Sequence, residues 1–231
     1  MAITSRSQDK YACLFTGPTD VFYMKDIENV FQVFTEYYNY PASNIWVVLG
    51  PTNATPSFSG ANVKIVTNEE ELRNALESFA SIASGPAPGV PSPNNWKTAL
   101  LYFTGDGCID AYGSKLVIND ASNCATAVTV NPDWLKTRLN AFSSCHVNVV
   151  MQQAYSGGFK SALYGSTLTQ WSFTYACSDT QECFADSVNG SFFTQGWLRG
   201  LKLEKLPAGT TDAGKYADEL GSVSEATDRL I

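Results

Sequence analysis

Thr98-Ala99-Leu100-Leu101-Tyr102-Phe103-Thr104-Gly105-Asp106-Gly107 and, further along, Val147-Asn148-Val149-Val150-Met151-Gln152-Gln153-Ala154-Tyr155-Ser156-Gly157-Gly158-Phe159 are the two stretches that decide how the chain folds. Each is an apolar run of strand length that ends in a glycine-containing turn. Continuous apolar strands, as opposed to alternating ones, suit a sheet covered on both faces. The same signature appears at Tyr11-Ala12-Cys13-Leu14-Phe15, closed by Gly17-Pro18, and at Asn44-Ile45-Trp46-Val47-Val48-Leu49, closed by Gly50-Pro51. A fifth run extends from about Thr169 to Cys177.

Segments of helical period lie between these runs. Ile27, Val30, Phe31, Phe34, Tyr37 and Tyr38 recur at steps of three and four and make one apolar face. Leu72, Ala75, Leu76, Phe79 and Ile82 make another, opened by a capping box of Thr67 with Glu70 and stopped at Gly85. Four prolines (Pro86, Pro88, Pro91 and Pro93) make 85–95 a stiff exposed loop. Asn131-Pro132 is an N-cap and first-turn pair that launches a helix through Trp134, Leu135, Leu139 and Phe142. Phe192 to Leu201 reads as a further helix. From Lys205 onward there is a single aromatic, Tyr216, so 1–204 is expected to form the domain and 205–231 a C-terminal helix or tail. Strand-helix alternation of this kind predicts an α/β three-layer sandwich, with a mostly parallel central sheet and helices on both faces. Ligands in such folds sit beyond the carboxyl ends of the strands, which singles out the loops after Phe103, Gln153 and Cys177.

At 231 residues the chain is one sizeable domain, long enough to bury roughly 70–75% of its unfolded surface. One histidine, His146, excludes a His-rich metal centre, and no cofactor or metal motif is present; neither GxGxxG nor GxxxxGK[ST] occurs. A net charge of −7 without a basic run argues against nucleic acid or anionic membrane as the main partner. No stretch approaches the ~18 apolar residues of a membrane span. Met1 to Arg6 leads into a polar segment with no signal-peptide core, so the chain is expected to be soluble and cytoplasmic. Only 16% of residues are charged, which leaves the surface to Ser, Thr, Asn and Gln or to cover by a protein partner. Six cysteines without a CxxC pair are expected to be reduced and buried; a Cys177–Cys183 or Cys108–Cys124 bridge is the alternative for an exported chain. The sequons Asn53-Ala54-Thr55 and Asn189-Gly190-Ser191 are read as chance matches on the same ground.

A hydrophobic strand ending Phe103-Thr104-Gly105-Asp106-Gly107, followed by one ending Gln152-Gln153-Ala154-Tyr155-Ser156-Gly157-Gly158-Phe159, resembles the caspase/legumain-like cysteine peptidases. Members of that family carry Ser/Thr-Gly-His-Gly at the first strand end and a Cys ahead of an aromatic or acidic residue and Ser-Gly at the second. The resemblance spans about Lys10 to Lys202 and includes Tyr40-Pro41 with Asn44-Ile45, Tyr175-Ala176-Cys177-Ser178 and Phe192-Phe193-Thr194. It implies a thiolate nucleophile assisted by a histidine. Here the histidine position holds Asp106 and the cysteine position Ala154, so both catalytic positions are degenerate. Alanine offers no nucleophile, and an ionised aspartate repels a developing oxyanion.

No neighbouring residue replaces them. His146 lies eight residues before Ala154, about 25 Å away along a strand, at the opposite edge of the sheet. Cys108 has no basic partner to lower its pKa, Ser156 reads as a turn hydroxyl, and Gly157-Gly158 as a turn of unusual φ. What the resemblance leaves is a binding cleft: backbone N–H groups of Gly107 and Ala154 for a carbonyl oxygen, and Ser178 and Asp179 along the cleft wall, able to take an extended peptide. The expected function is a catalytically inactive pseudopeptidase acting as a binding, regulatory or assembly subunit, with a protein or peptide partner and a place in a larger complex. The rival reading is an active cysteine endopeptidase whose nucleophile has been replaced by alanine. A small-molecule binder using the strand-end crevice is a third.

Overall fold

The computed structural model describes residues 10–18, 20–51, 57–85, 97–119, 123–143 and 145–202. The proline-rich loop, the sequon at Asn53 and the tail 205–231 lie outside the described residues. Six strands form the central sheet: β1 (Lys10–Thr16), β2 (Ile45–Leu49), β3 (Asn62–Ile65), β4 (Lys97–Thr104), β8 (Cys145–Met151) and β9 (Trp171–Tyr175). Their order is β3-β2-β1-β4-β8-β9, and every neighbouring pair is parallel. β5 (Gly107–Asp110), β6 (Gly113–Val117) and β7 (Thr129–Val130) make a small antiparallel sheet, and β10 (Ala185–Asp186) pairs with β11 (Gly190–Ser191).

Successive residues of a strand point to opposite faces, and the core divides accordingly. Cys13, Phe15, Leu101, Phe103, Val147, Val149 and Met151 meet α2 (Glu69–Ala83), α3 (Pro132–Leu139) and α4 (Lys160–Tyr164). Ala12, Leu14, Leu100, Tyr102 and Val150 meet α1 (Val21–Glu36) and α5 (Phe192–Leu201) on the other side. The expected three-layer α/β sandwich is therefore the observed fold, and the strands are apolar throughout because both faces are buried.

The local differences have physical causes. The capping box at α2 is shifted by one residue: Asn68 is the N-cap and accepts from the Glu71 N–H at 2.9 Å, while Glu71 reaches back to the Thr67 N–H at 2.6 Å. Asn caps better than Thr and takes the position. α1 ends at Glu36, so Tyr37 falls beyond its apolar face and is 58% exposed. Ile82 likewise points outward, at 39% exposure, because Ala80 and Ala83 fill the contact it was expected to make. β3 has four exposed residues and joins the sheet by backbone pairing with β2. The N-cap at Asn131 stands as expected, accepting from the Trp134 N–H at 2.8 Å.

The cysteines depart from expectation. Cys13 and Cys145 are free and buried, whereas Cys108 is bonded to Cys124 and Cys177 to Cys183.

Candidate functional site

β4 and β8 run parallel with Phe103 opposite Met151, and the Gln152 N–H donates to the Phe103 carbonyl at 2.7 Å. This register places the third residue past each member of that pair, Asp106 and Ala154, side by side. The two loops touch through backbone: a Cβ on Gly107 would lie 1.9 Å from the Ala154 carbonyl oxygen. Only glycine fits there.

Between the loops lies a cavity of about 420 Å³. Asp106, Gly107 and Ala154 line it, together with Tyr23 from α1, Gln152, Tyr155 and Glu182. The disulfide sulfurs' residues Cys108, Cys124 and Cys183 also stand on its wall. Ser178 and Asp179, expected along the cleft wall, are not among its lining residues and pack at the Gly157-Gly158 turn. Those glycines serve close approach and not unusual φ. A Cβ on Gly158 would meet Ser114 Oγ at 2.1 Å, and the residue with positive φ at this turn is Tyr155, at 60°.

Two carboxylates on the wall are each held by a phenol. The Tyr23 hydroxyl donates to Asp106 Oδ1 at 2.5 Å, and the Tyr155 hydroxyl to Glu182 Oε1 at 3.2 Å. Burial and the bond to Asp106 push the Tyr23 phenol well above its ordinary pKa, so it stays a donor. Beneath the cavity a third carboxylate is fully buried. Asp26 accepts from the Ser191 N–H at 2.8 Å, from the Ser191 hydroxyl, and from the Thr104 hydroxyl at 2.8 Å. Burial raises its pKa from 3.8 to about 6 against the lowering effect of these bonds. Through Thr104 it stands next to Gln152, whose Oε1 lies 2.5 Å from the same hydroxyl.

The wall offers little for nucleophilic chemistry. Among the described residues it carries no free thiol, no Ser or Thr hydroxyl and no imidazole. The free thiols of Cys13 and Cys145 lie in the core, where burial pushes their pKa up to about 12, far from the thiolate form. Ser156 is fully buried and bonded to the Cys177 backbone, donating to its carbonyl at 3.3 Å and accepting from its N–H at 3.2 Å. His146 pairs with Thr98 at the amino end of β8, the far end of the sheet from Ala154. Among the described residues no group of three or more His, Cys, Asp or Glu could hold a metal ion, and no helix is long and apolar enough to cross a membrane.

Sequence reasoning missed Tyr23, Tyr155, Glu182 and Asp26. Gln152 alone carried a signal, a polar residue at the end of an apolar strand.

No family model matches the chain, and no curated protein does. Among solved structures, caspase-1 from Spodoptera frugiperda superposes with a TM-score of 0.51 at 12% sequence identity, covering 85% of this chain and 70% of that one. The fold is caspase-like.

Proposed function

We propose that this domain is a catalytically inactive caspase/legumain-like pseudopeptidase that acts by binding, as a regulatory or assembly subunit holding a protein or peptide partner at the strand-end cleft. The observation that carries the reading is the pair Asp106 and Ala154, side by side at the two strand ends where a peptidase of this fold would need its histidine and cysteine. A methyl group cannot attack a carbonyl, and a carboxylate beside the leaving group and oxyanion opposes the charge that develops there. The backbone of Gly107 and Ala154 still lines the cleft, so the binding half of the site is the part this reading retains. Two disulfides suit an oxidising compartment better than the cytoplasm that the chain's opening suggested.

The test is restoration. Ala154→Cys combined with Asp106→His is expected to yield measurable cleavage of fluorogenic peptide mixtures, while the unaltered chain yields none. Cleavage by the unaltered chain would overturn the proposal. A cysteine codon at position 154 in the natural gene would instead favour the active endopeptidase, although Asp106 would still leave that enzyme without its histidine.

A further inference from the structure

The cavity between the strand ends carries negative charge without a counter-charge. Asp106 and Glu182 stand on its wall, and no Lys or Arg does. Their phenol partners, Tyr23 and Tyr155, supply one hydrogen bond each and no charge, so both carboxylates keep acceptor capacity toward the cavity.

Gln152 gives an independent sign. It is 2% exposed and lines the cavity, yet only one end of its amide has a hydrogen-bond partner among the described residues, the Thr104 hydroxyl. That hydroxyl also lies 2.8 Å from Asp26 Oδ2 and has one proton to give. The carboxylate is the stronger acceptor and takes it. The amide must then turn its NH2 toward the Thr104 oxygen and its own oxygen toward the cavity; half a turn about the last side-chain torsion exchanges the two and leaves the outline of the side chain unchanged. The buried amide thus offers the cavity an acceptor and asks for a donor. The wall adds apolar surface at Ile109, which is 46% exposed.

Building on the reading of the domain as a peptide-binding pseudopeptidase, we propose that the cavity receives the cationic side chain of a lysine or arginine in an extended segment of a partner protein. Asp106, Glu182 and the Gln152 oxygen are its acceptors, and Ile109 packs against an apolar neighbour of that residue. A guanidinium, with five donors in a planar fork, satisfies such a set better than an ammonium.

Fluorescently labelled nonapeptide mixtures, alike except for a central residue fixed as Arg, Lys, Gln or Asp, test this when titrated with the whole chain and read by anisotropy. The Arg and Lys mixtures are expected to bind roughly ten-fold tighter than the Gln and Asp mixtures, with a preference that weakens as salt is raised. Glu182→Gln should narrow the gap and Glu182→Lys should abolish it. Glu182 is exposed, so both variants keep the fold, which circular dichroism checks. Equal binding of all four mixtures, or preference for Asp, overturns the cationic assignment and leaves the peptide-binding reading in place. Binding of none overturns both. Displacement of the Arg mixture by spermidine at lower concentration than by unlabelled peptide would reassign the cavity to a free polyamine and overturn the partner-protein form of the proposal.

Discussion

β4 and β8 present two different surfaces from one register. At their carboxyl ends Asp106, Gln152 and Ala154 share a cavity closed in by hairpin and loop. At their amino ends Lys97 and Thr98 stand opposite Cys145 and His146, beside a groove of about 320 Å³. The one imidazole of the chain is therefore kept from Asp106 and Ala154 by the length of a strand, about 25 Å. The difference teaches that residue inventory says little until strand polarity is known. A histidine count of one is neutral; a histidine at the amino end of a parallel strand is out of reach of chemistry at the carboxyl end.

The comparison can be broken first at Gly107. A Cβ there meets the Ala154 carbonyl, so Gly107→Ala must push the two strand-end loops apart. A loss of at least about 3 kcal/mol of unfolding free energy is expected in urea titration. A loss below about 1 kcal/mol would mean that the loops do not touch as described.

A second, pH-dependent effect belongs to the carboxyl end. Asp26 has its pKa raised from 3.8 to about 6, so its contribution to stability is full below pH 4 and is lost as pH rises through about 6. That difference is worth about 3 kcal/mol. Relative to Asp26→Asn, the parent chain should lose stability by about that amount between pH 4 and pH 7, again by urea titration. A pH-independent difference between the two would show Asp26 to be ionised as readily in the folded as in the unfolded chain.

The smallest effect is expected at the amino end. His146→Ala should change stability by less than about 1 kcal/mol and leave the Arg-peptide anisotropy unchanged. Loss of peptide binding in this variant would erase the distinction between the two ends.

The central strands were legible because their residues are apolar on both faces, a requirement of burial that leaves a continuous mark in the sequence. Asp106 and Ala154 come to one cavity because a parallel register carries equivalent strand ends to one place. β3 was not legible: Asn62-Val63-Lys64-Ile65 is exposed and is a strand only because β2 offers it a backbone to pair with. The hairpin of β5 and β6 lacked the apolar run that identified the others. Asp26 sits beside Ile27 on α1 and reads as an ordinary solvent-facing acid until Ser191, 165 residues away, is folded against it. Tyr23 and Glu182 join the cavity through tertiary closure alone, with nothing local to mark them.

The two disulfides bear on how the mouth moves. Loops that build a binding site are usually the first parts of a protein to open, by local unfolding that costs far less than the global transition. Here Cys108–Cys124 closes a ring that includes the β5–β6 hairpin, and Cys177–Cys183 closes one that holds Glu182. Each ring lets its segment fluctuate but forbids it to swing away as a free chain. Amide hydrogens at the mouth should then exchange by small excursions within the rings, and a partner entering the cavity would meet walls that have already surrendered much of their conformational entropy.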